Sequence, residues 1–385
     1  MGRHMARDGA ADRVLDQSLP QTGGIWTFRR GRWLEPNGRI GLTGLDGDPA
    51  MTFSKTLLAT AFVAFGALFG ASAPAVAAEK TVTFAYQDMM TPIRVLMESG
   101  ELEKKTGYAV KWVKFGGGGD VIRAMSSGNV DIGEAGSSPI AAAASQGLPI
   151  TLFWILDDIA NAEQLVARNG SGIKSIADLK GKAVAVPFVS TSHYQLMYAL
   201  QEAGLSGKDV KLLNMRPPEI AAAWERGDID ATFIWAPVLT AAKKNGTVIA
   251  SAGDFAKKGK ATFDGIVATK AFMAANPDFM TTFVKLLAAA DADYVKTGDG
   301  WTAGSPQAAA IAKWTGAAPA DVPDGLAAYR FPTLEEQASK EWLGGGAAEA
   351  LKSTAEFLKS QGRVTELAPD YGPFVTADVV KAAAK

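Results

Sequence analysis

Three short segments of this 385-residue chain place glycine or hydroxyl residues where a helix is about to start. They are Gly116-Gly117-Gly118-Gly119, Gly136-Ser137-Ser138-Pro139 and Ser190-Thr191-Ser192. The first turn of a helix carries unpaired N–H groups and a partial positive charge, so it binds anions readily. In the second segment the spacing puts a Ser at the N-cap and Pro139 at the first helical position. Ordinary capping accounts for any one segment taken alone. Three of them, each predicted at the carboxyl end of a parallel strand, point to an anion site built from neutral donors. The glycine run is followed by Asp120 rather than Lys-Ser or Lys-Thr, so it is not a phosphate loop. Asp120 opposes an anion unless it faces away or caps its own helix. For a positive ligand end the candidates are the carboxylates of Glu163 and Asp264, with Trp235 offering a cation–π face. Gln87, after the first strand, is a neutral donor and acceptor at the same mouth. His193, after the Ser-Thr-Ser turn, either helps hold an anion or caps and packs.

Composition narrows the chemistry. Cysteine is absent, which removes disulfides, thiolate nucleophiles and Cys-based metal sites. The two histidines are His4 and His193, too few for a His-rich metal site or a His-based triad. No cofactor and no metal are expected. Residues 78–385 hold slightly more acidic than basic groups, which argues against nucleic acid or an anionic membrane as partner.

These residues need elements to position them. Residues 51–77 read as a secretory signal peptide: Lys55, an uncharged apolar run over Leu57–Phe69, and the small-x-small pattern Ala75-Val76-Ala77. The run is shorter than a membrane-spanning helix requires. Residues 1–50 have no sustained period and are expected to be untranslated upstream sequence or a disordered extension, with Met51 as the start. An exported chain without a cysteine to lipidate is expected free in a Gram-negative periplasm, as a monomer. The remaining 300 or so residues exceed one ordinary core, so two domains are expected.

Downstream, strand-like and helical runs alternate: strands at 81–86, 109–115, 130–133, 151–156 and 163–168, with helices at 91–106, 121–127 and 139–146. A second unit repeats the pattern with strands at 182–187, 210–214 and 229–235 and helices at 194–203 and 219–226. This is βαβ alternation, implying an α/β fold with mostly parallel sheets. Residues 265–385 turn mostly helical. An internal echo links the units: the stretch from Ala124 to Asp131 resembles that from Ala223 to Asp230, each a helix end, a Gly cap and a strand opening on Asp.

The order Ala85-Tyr86-Gln87, Gly136-Ser137-Ser138-Pro139, Val186 through Tyr194, Pro217-Pro218, Ala222 through Asp230 and Trp235-Ala236-Pro237 resembles the taurine-binding proteins of sulfonate ABC importers. The resemblance runs from Thr81 to about Val380. It implies a type II periplasmic binding protein, with two βαβ lobes, a hinge crossed twice and the ligand in the cleft. The implied boundaries are 78–168 and 264–385 for the first lobe and 169–263 for the second. It implies further that Gln87, Ser137, Ser138, Thr191 and His193 lie near the acid group of the ligand. Gly118 and Ser190 are ligand candidates from their helix-start turns, although the run Gly116–Gly119 departs from the family pattern. Glu163, Trp235 and Asp264 would serve the amine end. The implied partners are taurine or another small sulfonate, then a membrane permease with its ATPase subunits. Two alternatives stay open: the same fold binding an alkanesulfonate, nitrate or a thiamine pyrimidine precursor, and a secreted enzyme on this fold.

Overall fold

The computed structural model describes residues 80–385. The signal peptide and leader expected over 1–77 lie outside the described residues. Two five-stranded sheets form the frame. The first contains β1 (Thr81–Tyr86), β2 (Ala109–Lys114), β3 (Ile132–Gly136), β4 (Ile150–Asp158) and β10 (Phe263–Thr269). The second contains β5 (Glu163–Arg168), β6 (Ala183–Val186), β7 (Lys211–Asn214), β8 (Ala231–Trp235) and β9 (Gly246–Ser251). The orders are β2-β1-β3-β10-β4 and β7-β6-β8-β5-β9.

Both sheets follow one plan. Three parallel strands are joined through helices, and the fourth strand is antiparallel to its neighbours on both sides. That fourth strand arrives from the other lobe: β5 follows β4 into the second sheet, and β10 follows β9 back into the first. The sheets are therefore mixed, where the sequence suggests mostly parallel. The first crossing also falls earlier than Arg168. β5 pairs with β8 and β9, so the chain leaves the first sheet between Asp158 and Glu163. A strand's period does not say which sheet it will join, and the sequence boundary is corrected accordingly.

The helices that matter for the site are α1 (Ile93–Ser99), α2 (Glu101–Thr106), α3 (Gly118–Ser126), α4 (Ser137–Ser145), α5 (Thr191–Glu202), α6 (Pro217–Arg226) and α7 (Val238–Lys243). The single helix expected over 91–106 is two, broken where Gly100 turns left-handed at φ 62°. The helix starts also shift upstream. Gly136 rather than a serine is the N-cap of α4, which leaves Pro139 in the third helical position.

The echo between Ala124–Asp131 and Ala223–Asp230 is structural. Asp131 accepts from the Thr83 N–H through Oδ2 at 2.8 Å, and Asp230 accepts from the Ala183 N–H through Oδ2 at 2.8 Å. Each aspartate thus ties its chain turn to the central parallel strand of its own sheet. The glycines before them, Gly128 and Gly227, both take left-handed φ (76° and 81°), which reverses the chain out of the helix. Beneath the first sheet the core is aromatic, with Phe84 edge-on to Phe283 of the helix Pro277–Thr297 at 5.8 Å. Under the second sheet Leu165, Phe233 and Leu200 are fully buried.

Candidate ligand-binding site

The carboxyl ends of the strands meet at a small cavity between the two sheets, as expected for α/β architectures. The first lobe lines it with Gln87 and Met89 after β1, Gly118 of α3, Gly136 and Pro139 around the start of α4, and Asp264 of β10. The second lobe supplies Glu163, Ser190, Thr191 and Trp235, and Tyr329 closes one side from the C-terminal helical region. The space at the cavity, counting what opens to solvent, is ≈ 300 Å³. Three helix starts, at α3, α4 and α5, therefore converge on one cavity. No Lys or Arg lines it.

The acids are buried. Glu163 Oε1 accepts from the Thr191 hydroxyl at 2.6 Å, while Oε2 has no partner. Burial pushes the Glu163 carboxyl up to about 7, against the pull of the Thr191 hydrogen bond. Asp264 is raised well above the carboxylate range, first by burial and then by repulsion from Glu163 and Glu134. The cavity thus joins two buried acids to three helix starts.

A buried clamp holds the first-lobe wall. Arg94 on α1 and Glu134 on β3 are both inaccessible to solvent and form a bidentate pair at 2.6 and 2.7 Å. Glu134 also accepts from the Gln87 N–H at 3.1 Å, and Arg94 donates to the Gln87 and Met89 carbonyls. The segment after β1 is fixed to β3 from both sides. The Gln87 side-chain amide donates to the Glu134 carbonyl at 3.2 Å, which orients it at the cavity wall.

Contacts between the lobes surround the cavity. Trp235 on β8 donates through Nε1 to Asp88 at 2.8 Å. Asp120 on α3 sits 3.7 Å from Arg216 at the start of α6 and also pairs with Arg123. Asp120 therefore spends its charge on two arginines instead of on the cavity, which removes the objection that it raises against an anion.

Of the residues singled out in the sequence, Gln87, Gly118, Glu163, Ser190, Thr191, Trp235 and Asp264 come together on the cavity wall. Ser137, Ser138 and His193 do not line it. Both serines are buried with hydroxyls that have no partner, while their neighbours Gly136 and Pro139 face the cavity. His193 stacks on Phe188 at 4.8 Å and its Nδ1 faces the Val189 N–H at 3.4 Å. Burial pulls the imidazole down to about 3, so it is neutral. Ser190 lines the wall but uses its hydroxyl locally, donating to the Pro187 carbonyl and accepting from the His193 N–H.

Met89, Gly136, Pro139 and Tyr329 complete the wall without having been picked as ligand residues, and Asp88, Arg94 and Glu134 support it. Asp157, behind Asp264, was also missed. Its signal was legible: an acid at the end of the otherwise apolar run Ile150–Leu156. Nothing local marks Tyr329, which reaches the site from far along the chain. Among the described residues, no group of three or more His, Cys, Asp or Glu is placed to hold a metal ion. Nor is any described helix long and apolar enough to cross a membrane.

Residues 104–297 match the family model described as NMT1/THI5 like. The chain is 37% identical over 333 residues to the taurine-binding periplasmic protein of Escherichia coli strain K12, covering 86% of this chain and all of that one. Among solved structures, the alkanesulfonate-binding protein SsuA of Xanthomonas axonopodis pv. citri, bound to MOPS, superposes with a TM-score of 0.64 at 24% identity. That match covers 79% of this chain and 99% of the other. The periplasmic aliphatic sulphonate binding protein SsuA of E. coli superposes with a TM-score of 0.62 at 23% identity, over 78% and 99% of the two chains. Fold and sequence agree, and the chain belongs to the family of periplasmic taurine- and sulfonate-binding proteins.

Proposed function

We propose that this protein binds taurine, or a closely similar aminosulfonate, in the cavity between its lobes and delivers it to the permease of an ABC importer. One observation carries the reading: one cavity between the lobes joins two buried carboxylates to three helix starts and is lined by no basic side chain. A sulfonate is a monoanion with three acceptor oxygens. Neutral N–H donors at the helix starts around Gly118, Gly136 and Thr191 suit it without a buried Lys or Arg. An ammonium at the other end would meet Glu163 and Asp264 and the face of Trp235. An alkanesulfonate without the amine would leave both acids uncompensated, so the cavity favours the zwitterion.

The protein would act in the periplasm as a monomeric carrier with no catalytic step. Closure of the lobes would bury the solute and create the surface that the permease recognises. Isothermal titration of the purified 78–385 chain with taurine, butanesulfonate and nitrate tests this. Taurine is expected to bind at least about tenfold tighter than butanesulfonate, with nitrate weaker still. No heat with taurine at millimolar concentration, or tighter binding of butanesulfonate, would overturn it.

A further inference from the structure

Asp157 lies behind the cavity wall, at the end of β4, and is completely buried. It stands directly opposite Asp264 in the β4–β10 ladder, while Gly136 stands opposite Asp264 on its other side, in β3. Opposite residues of an antiparallel pair share a face with Cβ atoms about 5 Å apart. The two acids face each other across the ladder. No donor reaches either oxygen of Asp157.

The groups facing Asp157 are nearly all acidic or neutral. Asp264 faces it from β10, Glu134 from β3, Asp291 from the helix Pro277–Thr297, and Asp158 is its chain neighbour. Tyr329 feels the charge of both Asp157 and Asp264. Glu163 approaches Asp264 from the second lobe. Arg94 pairs with Glu134 and also draws the Asp264 carboxyl down, while Arg330 pairs with Asp158. Two facing carboxylates buried away from water do not both ionise. Burial raises both, joined at Asp157 by repulsion from Asp264 and at Asp264 by repulsion from Glu163 and Glu134.

We propose that Asp157 is a positioning residue for ligand selectivity: it keeps a proton, donates it as a hydrogen bond to Asp264, and so presents Asp264 to the ligand as a single aimed carboxylate. The protonated partner satisfies the far oxygen of Asp264 and leaves the near one for a cationic group. It also limits the charge of the buried pair to −1, which one ammonium balances. This rests on the aminosulfonate reading above for its ligand, but the proton on Asp157 does not.

Two measurements test the proposal. Infrared difference spectra of the ligand-free protein at pH 8.5, above the titration of Glu163, are expected to show a protonated carboxyl band that Asp157→Asn removes. Absence of the band in the parent overturns the proposal whatever the protein binds. Titrations then compare Asp157→Asn with Asp157→Val at pH 7. The Asn amide still donates to Asp264, so its taurine affinity is expected within about threefold of the parent. Val cannot donate and is expected to weaken taurine roughly tenfold or more while changing butanesulfonate less than about threefold. Equal losses for both ligands in Asp157→Val would make the role merely structural. A loss in Asp157→Asn as large as in Asp157→Val would mean that Asp157 works ionised. Either result sinks the proposal. If taurine fails to bind the parent while the band is present, the ligand assignment falls and the protonated pair stands.

Discussion

Gly136 of the first lobe and Thr191 of the second meet so closely that a Cβ added to Gly136 would fall 2.7 Å from Thr191 Cγ2 and 3.2 Å from Asp264 Oδ1. The backbone there does not require glycine, since φ −67° and ψ 160° suit any residue. The approach of Thr191 from the other lobe does. Gly136→Ala is therefore expected to fold normally, with Tm within about 2 °C of the parent, yet to resist closure. Overpacking of about 1–3 kcal/mol would weaken taurine binding roughly tenfold or more. Calorimetric titration beside a melting curve checks both halves, and unchanged affinity would mean that closure does not press these residues together.

The Trp235–Asp88 hydrogen bond joins residues of different lobes and so depends on closure. Burial raises the Asp88 carboxyl, which makes its partner costly to lose. Trp235→Phe keeps an aromatic face and removes only the N–H. It is expected to raise the taurine dissociation rate roughly tenfold with little change in association rate, as measured by stopped-flow fluorescence. A change confined to association would contradict a closed-state link.

Glu163 and His193 oppose each other in the pH dependence of stability. The Glu163 carboxyl moves from 4.5 to about 7 on folding. Its contribution is therefore full below pH 4.5 and lost as pH rises through 7, a change of about 3 kcal/mol. The His193 imidazole moves from 6.5 to about 3, so its contribution is present above pH 6.5 and lost as pH falls toward 3. The two cancel in part between pH 4.5 and 6.5. Urea midpoints of ligand-free protein at pH 4–8 are expected to separate them. Relative to the parent, Glu163→Gln gains stability as pH rises through 7, and His193→Gln gains stability as pH falls below 6.5.

Arg94→Met would strand Glu134, which has no access to solvent. Removing one partner of such a pair costs about 3–5 kcal/mol. The urea midpoint should fall accordingly, and the loop carrying Gln87 and Met89 should lose two of its anchors. A loss below about 1 kcal/mol would mean that water or another cation reaches Glu134 once Arg94 is gone.

Local signals carried much of this protein. Strand runs between helices marked an α/β fold. Glycine and hydroxyl residues at helix starts marked three loops, and all three lie at one cavity. Asp131 and Asp230 were visible as an echo because each repeats the same helix end, turn and strand opening, which are features of short range. Tertiary structure decided the rest. Within the turn before α4 it turned Gly136 and Pro139 to the cavity and Ser137 and Ser138 away, because a one-residue shift in a helix start rotates every side chain by about 100°. It placed β5 in the second sheet and set Asp157 opposite Asp264, since a strand's own period says which face is apolar but not which strand lies beside it. The sequence by itself determined that helix ends and acids were available. Only strand pairing and lobe contact decided which of them share a wall, because those contacts join residues that no local pattern connects.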